Sequence, residues 1–292
     1  MDRRYTEADG QSATGDRQRV TARRRDGGYD AAVPPDLRAV RAQLPSLEPD
    51  AFLNTGGCGP LALAAAEEIL RWTASRSRSP RGSLAGFERT AAEAAALRAA
   101  AGRVIGAPAE QMALTANTTG GLNVAAWGID WRPGDEIVVP ALEHPGLAVP
   151  LAAIARRHRL VLHLIDPEGD EPDLERAVAA VSGPRTRLVA LSHVSWATGA
   201  VLDVAGAARA ARAAGALVIV DGAQSAGAIP VDVGGLDVDA YAFPAHKWLL
   251  GPDGLGALWI APAAMSRFDL TASGYESGTD HDLGGVLAPH AG

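Results

Sequence analysis

Short apolar runs recur along the middle of this sequence, each followed by an amphipathic stretch. EIVVP at 136–140, the run at 160–165, the first half of RTRLVALSHVSW and the run at 217–220 carry almost no polar residue. The stretches between them, at 146–157, in PDLERAVAAV and in GAVLDVAGAARAARAAGA, have helical spacing. Continuously apolar strands are buried on both faces, and strand–helix alternation makes them parallel. The pattern therefore predicts an α/β chain with a mostly parallel central sheet and helices on both faces.

Upstream, Pro34 and Pro35 predict a short helix running to about Leu44, with proline in its first turn. Phe52, Leu53 and Asn54 read as a strand, TGGCGP as a tight turn, and the alanine-rich run after it as a helix to about Trp72. SRSRSPRGSLAGFERT reads as a polar connector and 91–105 as a helix. MALTANTTGGLNVAAWGI reads as strand, polar turn and helix, with Asn117, Thr118 and Thr119 as helix caps. Residues 1–30 mix charge, Gly and Ser without apolar periodicity and read as a disordered tail, Arg23 to Arg25 included. After Pro262 the periodicity fades into Gly, Ser and Asp.

Composition narrows the class. A chain of 292 residues, 47% hydrophobic and 21% charged, can bury a sizeable globular core. A formal charge of -7 argues against a nucleic-acid partner. The single cysteine, Cys58, excludes an intrachain disulfide framework and fits a reducing, cytoplasmic setting. No apolar run approaches the length that crosses a membrane, and the arginine-rich start has no apolar stretch behind it.

The candidate chemistry follows the ends of the predicted strands. Asp221 closes the run at 217–220, Gln224 comes three residues later, and His246-Lys247 follows the next strand-like run, ahead of the glycine-rich return GPDGLGALWI. Thr118 and Thr119 open a helix, where free N–H groups and hydroxyls make an anion site. Glu143 and His144 follow one strand, and His193, Ser195 and Trp196 another. In open parallel sheets ligands bind at that edge.

Singly, each has a plain structural reading: a cap, an exposed loop histidine, a turn. Together, a strand-end carboxylate and a lysine beside glycines are what pyridoxal 5'-phosphate (PLP) chemistry uses, the lysine for a Schiff base and the acid for the pyridine nitrogen. On that reading Thr118, Thr119 and His246 bind phosphate, His144 stacks on the ring, Gln224 reaches the phenolic oxygen and Lys247 is the covalent anchor. Ser195 also lies on the cofactor side, while Asn54 and Trp196 lie on the substrate side. Competing signatures are weaker. GPDGLG leads into a strand rather than a helix, no GxxxxGK[ST] loop is present, and no histidine pair has metal-ligand spacing on one helix.

These motifs resemble those of the class V, fold-type I aminotransferase-like enzymes, which include cysteine desulfurases, isopenicillin N epimerases and cysteine/cystine C–S lyases. The resemblance covers about 52–262 and rests on FLNTGGCGP, NTTGGLNVAAWGIDWRPGDEIV, EHPG, LSHVSWATG, VDGAQSAG and YAFPAHKWLLGPDGLGALWI. EHPG, Trp196 and the GIDW stretch bring it nearest the C–S lyases. The resemblance implies a fold-type I PLP-binding large domain at 31–262, followed at 263–292 by the start of a truncated small domain. It also implies a homodimer acting on a small amino-acid substrate, with 274–279 a candidate for reaching across the interface.

There are departures from the family pattern. Pro244-Ala245-His246-Lys247 stands where desulfurases have Ser-Gly-His-Lys, which removes a phosphate hydroxyl. Trp196 replaces an asparagine, and no cysteine follows Cys58 to carry sulfur. β-Elimination from a cysteine-like amino acid is therefore the expected reaction. Cysteine desulfuration, transamination or epimerisation are the alternatives in the family, and a catalytically impaired cofactor-binding remnant is the alternative outside it.

Overall fold

The computed structural model describes residues 36–47, 51–80, 82–166 and 173–272. Seven strands form one sheet: β1 (Met112–Thr115), β2 (Glu136–Pro140), β3 (Val161–Ile165), β4 (Thr186–Ser192), β5 (Leu217–Asp221), β6 (Ala240–Pro244) and β7 (Gly256–Ile260). Their order is β1-β7-β6-β5-β4-β2-β3; β7 pairs antiparallel with both β1 and β6, and every other pair is parallel. The 245–255 link between β6 and β7 holds no helix, so the chain returns beside β6 rather than crossing over it.

The helices are α1 (Leu37–Ala42), α2 (Leu63–Ser77), α3 (Leu84–Ile105), α4 (Thr118–Trp127), α5 (Pro145–His158), α6 (Leu174–Val181), α7 (Val204–Ala213) and α8 (Val233–Leu236). Side chains alternate across the sheet with a period of two. Val138, Val189, Val218, Val220 and Tyr241 face one core, shared with Val178 of α6 and Ala207 of α7. Ile137, Leu188, Leu217, Ile219 and Ala242 face the other, shared with Leu122 of α4 and Ile154 of α5. Both faces are thus covered, as the unbroken apolar runs require. Small residues set the spacing: a Cβ at Gly121 would lie 3.0 Å from the Ala242 Cβ, so glycine lets α4 rest on β6.

β2 and β3 progress toward one edge, while β4, β5 and β6 progress the other way from β2. The switch between β2 and β4 opens a crevice at the strand C-termini, where open α/β sheets hold ligands.

Several upstream expectations are corrected. Phe52, Leu53 and Asn54 form no strand. The Asn54 carbonyl instead accepts from Gly57 N at 3.0 Å and Cys58 N at 3.2 Å, and Leu53 is 95% exposed rather than paired into the sheet. The polar connector is shorter than read, because α2 continues to Ser77 and α3 begins at Leu84, where Ser83 Oγ caps Gly86 N at 3.2 Å. That cap was hidden within a polar run. α1 is started by Asp36, whose carboxylate accepts from Arg38 N at 3.0 Å. Pro34 and Pro35, residues 1–30 and 274–279, and most of 263–292 lie outside the described residues. No helix among the described residues is long and apolar enough to cross a membrane.

Candidate functional site

Lys247 is the only lysine in the sequence, since 26 of its 27 basic residues are arginine. It is 9% exposed and lies in the loop after β6, at a cleft of about 730 Å³. Burial pulls the Lys247 amine below its ordinary pKa, with the charge of Asp221 opposing. Arginine cannot offer this chemistry, because its guanidinium stays protonated. The loop is held under strain: Leu250 takes a left-handed φ of 56° while its N–H donates to the Lys247 carbonyl at 3.0 Å. A non-glycine residue there costs about 1 kcal/mol or more.

Asp221, at the C-terminal end of β5, is 4% exposed. Its Oδ1 accepts from Ala223 N at 2.8 Å. Burial pushes the carboxyl up to about 6, opposed by that hydrogen bond and by the Lys247 charge. Acid and amine are both displaced toward their neutral forms, so desolvation outweighs their mutual attraction.

Asn54, His144, Ser195, Trp196, Gln224, His246 and Lys247 all line the cleft. His144 caps α5, its Nδ1 accepting from Gly146 N at 3.0 Å. Its ring stands edge-on to Trp196, with centroids 5.4 Å apart. Burial, and secondarily the Lys247 charge, lower its pKa, which favours neutral imidazole. Trp196 is fastened to the β2–α5 loop by Nε1 donating to Leu142 O at 3.0 Å. His246 Nδ1 is buried without a hydrogen-bond partner and lies 3.9 Å from Asp253 Oδ1.

Thr118 and Thr119 do not line the cleft, and only Asn117 caps α4, through Oδ1 to Gly120 N at 2.8 Å. The threonines are the first residues inside the helix. Thr119 meets the start of α5, where a Cβ on Gly146 would lie 2.6 Å from its Oγ1.

The glycine turn reaches the same cleft. Gly59 N donates to His246 O at 2.8 Å, and a Cβ at Gly59 would lie 2.2 Å from Lys247 O. Glycine is required for that backbone-to-backbone approach. Cys58 in this turn is exposed and unpaired.

Other side chains shape the site: Tyr241, Ser225 and Trp248 were not picked out from the sequence, and Glu143 and His193 were noted only as following strands. Glu143 bridges the switch between β2 and β4. Its carboxylate accepts from Ser192 N at 2.7 Å and from Ser192 Oγ at 2.6 Å. Burial raises its pKa despite those bonds. The Tyr241 hydroxyl joins Ser225 Oγ at 2.5 Å and His193 Nδ1 at 2.9 Å, and burial raises the tyrosine pKa and lowers that of His193. Trp248 lines the cleft and bonds Gln224. The EH and HKW neighbours were the available signals, but their partners lie 49 and 24 residues away along the chain.

Among the described residues, no cluster of His, Cys, Asp and Glu could hold a metal ion.

The family model for Aminotransferase class-V matches residues 62–281. Isopenicillin N epimerase of Streptomyces clavuligerus is 33% identical over 222 residues, 75% of this chain and 55% of that protein. A probable cysteine desulfurase of Pseudomonas aeruginosa is 42% identical over 178 residues, 60% of this chain and 44% of that protein. Thus the chain spans about half the length of the curated relatives it matches. Two structures of the cystine C–S lyase C-DES, 33% identical, superpose with TM-scores of 0.80 and 0.79 over 85% of this chain and 66% of theirs. One holds glycine covalently linked to its PLP cofactor, and the other holds the reaction product cysteine persulfide. A family model matched across most of the sequence, together with the shared fold, identifies the chain as a member of the aminotransferase class-V family.

Proposed function

We propose that this chain holds PLP and, through it, cleaves the C–S bond of cysteine, cystine or a related amino acid by β-elimination. One observation carries the reading: the sole lysine is buried at an open cleft, within reach of the charge of the buried Asp221 carboxylate. The likeness to C-DES over 85% of the chain supports the choice of reaction.

The residues present fit the cofactor. An amine, an amide, an imidazole wall and a buried imidazole nitrogen without a partner occur around one cleft, and the buried Asp221 carboxylate acts on that amine through its charge. When bound, PLP supplies an aldehyde carbon that takes an amine covalently and a ring that accepts the electron pair left at the substrate Cα.

In this reading Lys247 Nζ is the nucleophile and then the base that takes the Cα proton. Its desolvation raises the fraction present as free amine. Asp221 keeps a proton on the ring nitrogen, because a carboxyl with a pKa of about 6 is an anion at neutral pH. His144, with Nδ1 committed to Gly146, offers its ring as a wall. His246 takes the phosphate at the cleft, and the start of α4 at Thr118 and Thr119, outside the cleft lining but against the start of α5 next to His144, is its second anchor. Gln224 meets the phenolic oxygen, Ser195 borders the cofactor, and Asn54 and Trp196 border the substrate. Sulfur leaves Cβ with the bonding electrons. The released 2-aminoacrylate then hydrolyses to pyruvate and ammonia.

Incubating PLP-loaded protein with L-cystine tests the reaction. Pyruvate should appear as the C–S bond breaks. Alanine in its place would favour cysteine desulfuration, the reading that the 42% identical relative supports. A bound chromophore that turns over no sulfur amino acid would favour a non-catalytic remnant.

The same reading includes a homodimer. Apolar side chains on α2 and α3 support it: Leu70 is 71% exposed, Leu84 75% and Phe87 59%. Sedimentation equilibrium should give twice the 30.0 kDa chain mass, and a purely monomeric species would reject the dimer.

A further inference from the structure

Trp248 Nε1 donates to Gln224 Oε1 at 2.8 Å, and Gln224 Nε2 donates to the Gly56 carbonyl at 2.8 Å. Both partners have fixed polarity, since an indole N–H only donates and a peptide carbonyl only accepts. The Gln224 amide therefore has one orientation that satisfies both. Flipped, it would set oxygen against the Gly56 carbonyl and N–H against the indole N–H. Gly56 also crowds the amide, because a Cβ there would lie 2.9 Å from Gln224 Oε1. After the bond to Gly56, one Nε2 hydrogen remains. Gly56, Gln224 and Trp248 all line the cleft that contains Lys247.

We infer that Trp248 is a positioning residue that acts through Gln224. It fixes the amide so that the cleft meets a hydrogen-bond donor, suited to an anionic oxygen, and it fastens the glycine turn at 54–59 beside Lys247. Without Trp248, Gln224 can turn its carbonyl toward the cleft, where it would repel such an oxygen. The turn would then keep only its second attachment, Gly59 N to His246 O at 2.8 Å. The part concerning the anionic oxygen rests on the PLP reading. The part concerning the turn does not.

A double-mutant cycle between Trp248→Phe and Gln224→Ala separates this role from simple packing. Phenylalanine keeps an aromatic ring and removes the donor. Two measurements are made on the full chain. In ligand-free protein, hydrogen exchange is followed at the amides of Gly57, Cys58 and Gly59. In a PLP titration, the dissociation constant is read from visible absorbance. Loss of one hydrogen bond should speed exchange and weaken PLP binding by about fivefold each in Trp248→Phe. On top of Gln224→Ala, the same change should add less than about twofold, because its partner is already gone.

Unchanged exchange at 54–59 in Trp248→Phe would overturn the inference. So would an equal loss in both backgrounds, which would make Trp248 a packing residue independent of Gln224. Failure of the wild-type chain to take up PLP would instead sink the cofactor reading, and the exchange measurements would still decide the role of Trp248.

Discussion

Replacing Lys247 with alanine should abolish the visible absorbance of PLP-treated protein and lower turnover by about a thousandfold or more, the scale of losing both a nucleophile and a general base. No other side chain can substitute, because the sequence has no second lysine and its 26 arginines stay protonated. The fold should survive. Lys247 borders an open cleft, so truncation enlarges that cleft rather than leaving a closed void in the core. Far-UV circular dichroism and the thermal midpoint, set beside the absorbance spectrum, distinguish loss of chemistry from loss of structure. A Lys247→Ala sample that keeps the wild-type chromophore would remove Lys247 from the role.

Replacing Asp221 with asparagine should act on activity and stability in opposite directions. Turnover should fall by about a hundredfold or more, because asparagine cannot hold a proton on a ring nitrogen. The ligand-free protein should become more stable near pH 7. The carboxyl stands at about 6 in the fold against an ordinary 3.8. Between those values the folded chain keeps a proton that the unfolded chain releases, so stability falls as pH rises through that window. The cost is absent below about 3.8 and fully present above about 6. It amounts to on the order of 2–3 kcal/mol, the opposing effect of the Lys247 charge being already included in that shift. Asparagine retains an oxygen for Ala223 N and removes the charge. Denaturant melts of both proteins at pH 4.5 and pH 7.5 read the difference directly. A ligand-free variant that is less stable than wild type at the higher pH would contradict the burial argument.

The parallel part of the sheet was legible because β2, β4 and β5 are buried on both faces and so read as unbroken apolar runs. The site was legible for a related reason. His144, Ser195, Gln224 and Lys247 each follow a strand, and strand ends in such a sheet converge. Phe52 to Asn54 misled because apolar and glycine residues at the edge of a cleft have the same composition as a strand and turn. What distinguishes them is the approach of Gly59 to the Lys247 carbonyl, a contact between segments nearly 190 residues apart. Glu143 was legible only as following a strand, and Trp248 was silent, for the same reason: each matters through one distant partner, Ser192 and Gln224 respectively. Thr118 and Thr119 were legible as the start of a helix, but which of the neighbouring polar residues caps it was decided by geometry that gave the role to Asn117.

Reductive trapping tests the central claim most directly. Wild-type protein is incubated with PLP, treated with borohydride, digested and mapped by mass spectrometry. The account predicts one pyridoxyl label on a side chain, on the peptide containing Lys247, and its absence when Lys247 is alanine. A protein that is labelled only at its N-terminal amine, or not at all, would contradict it.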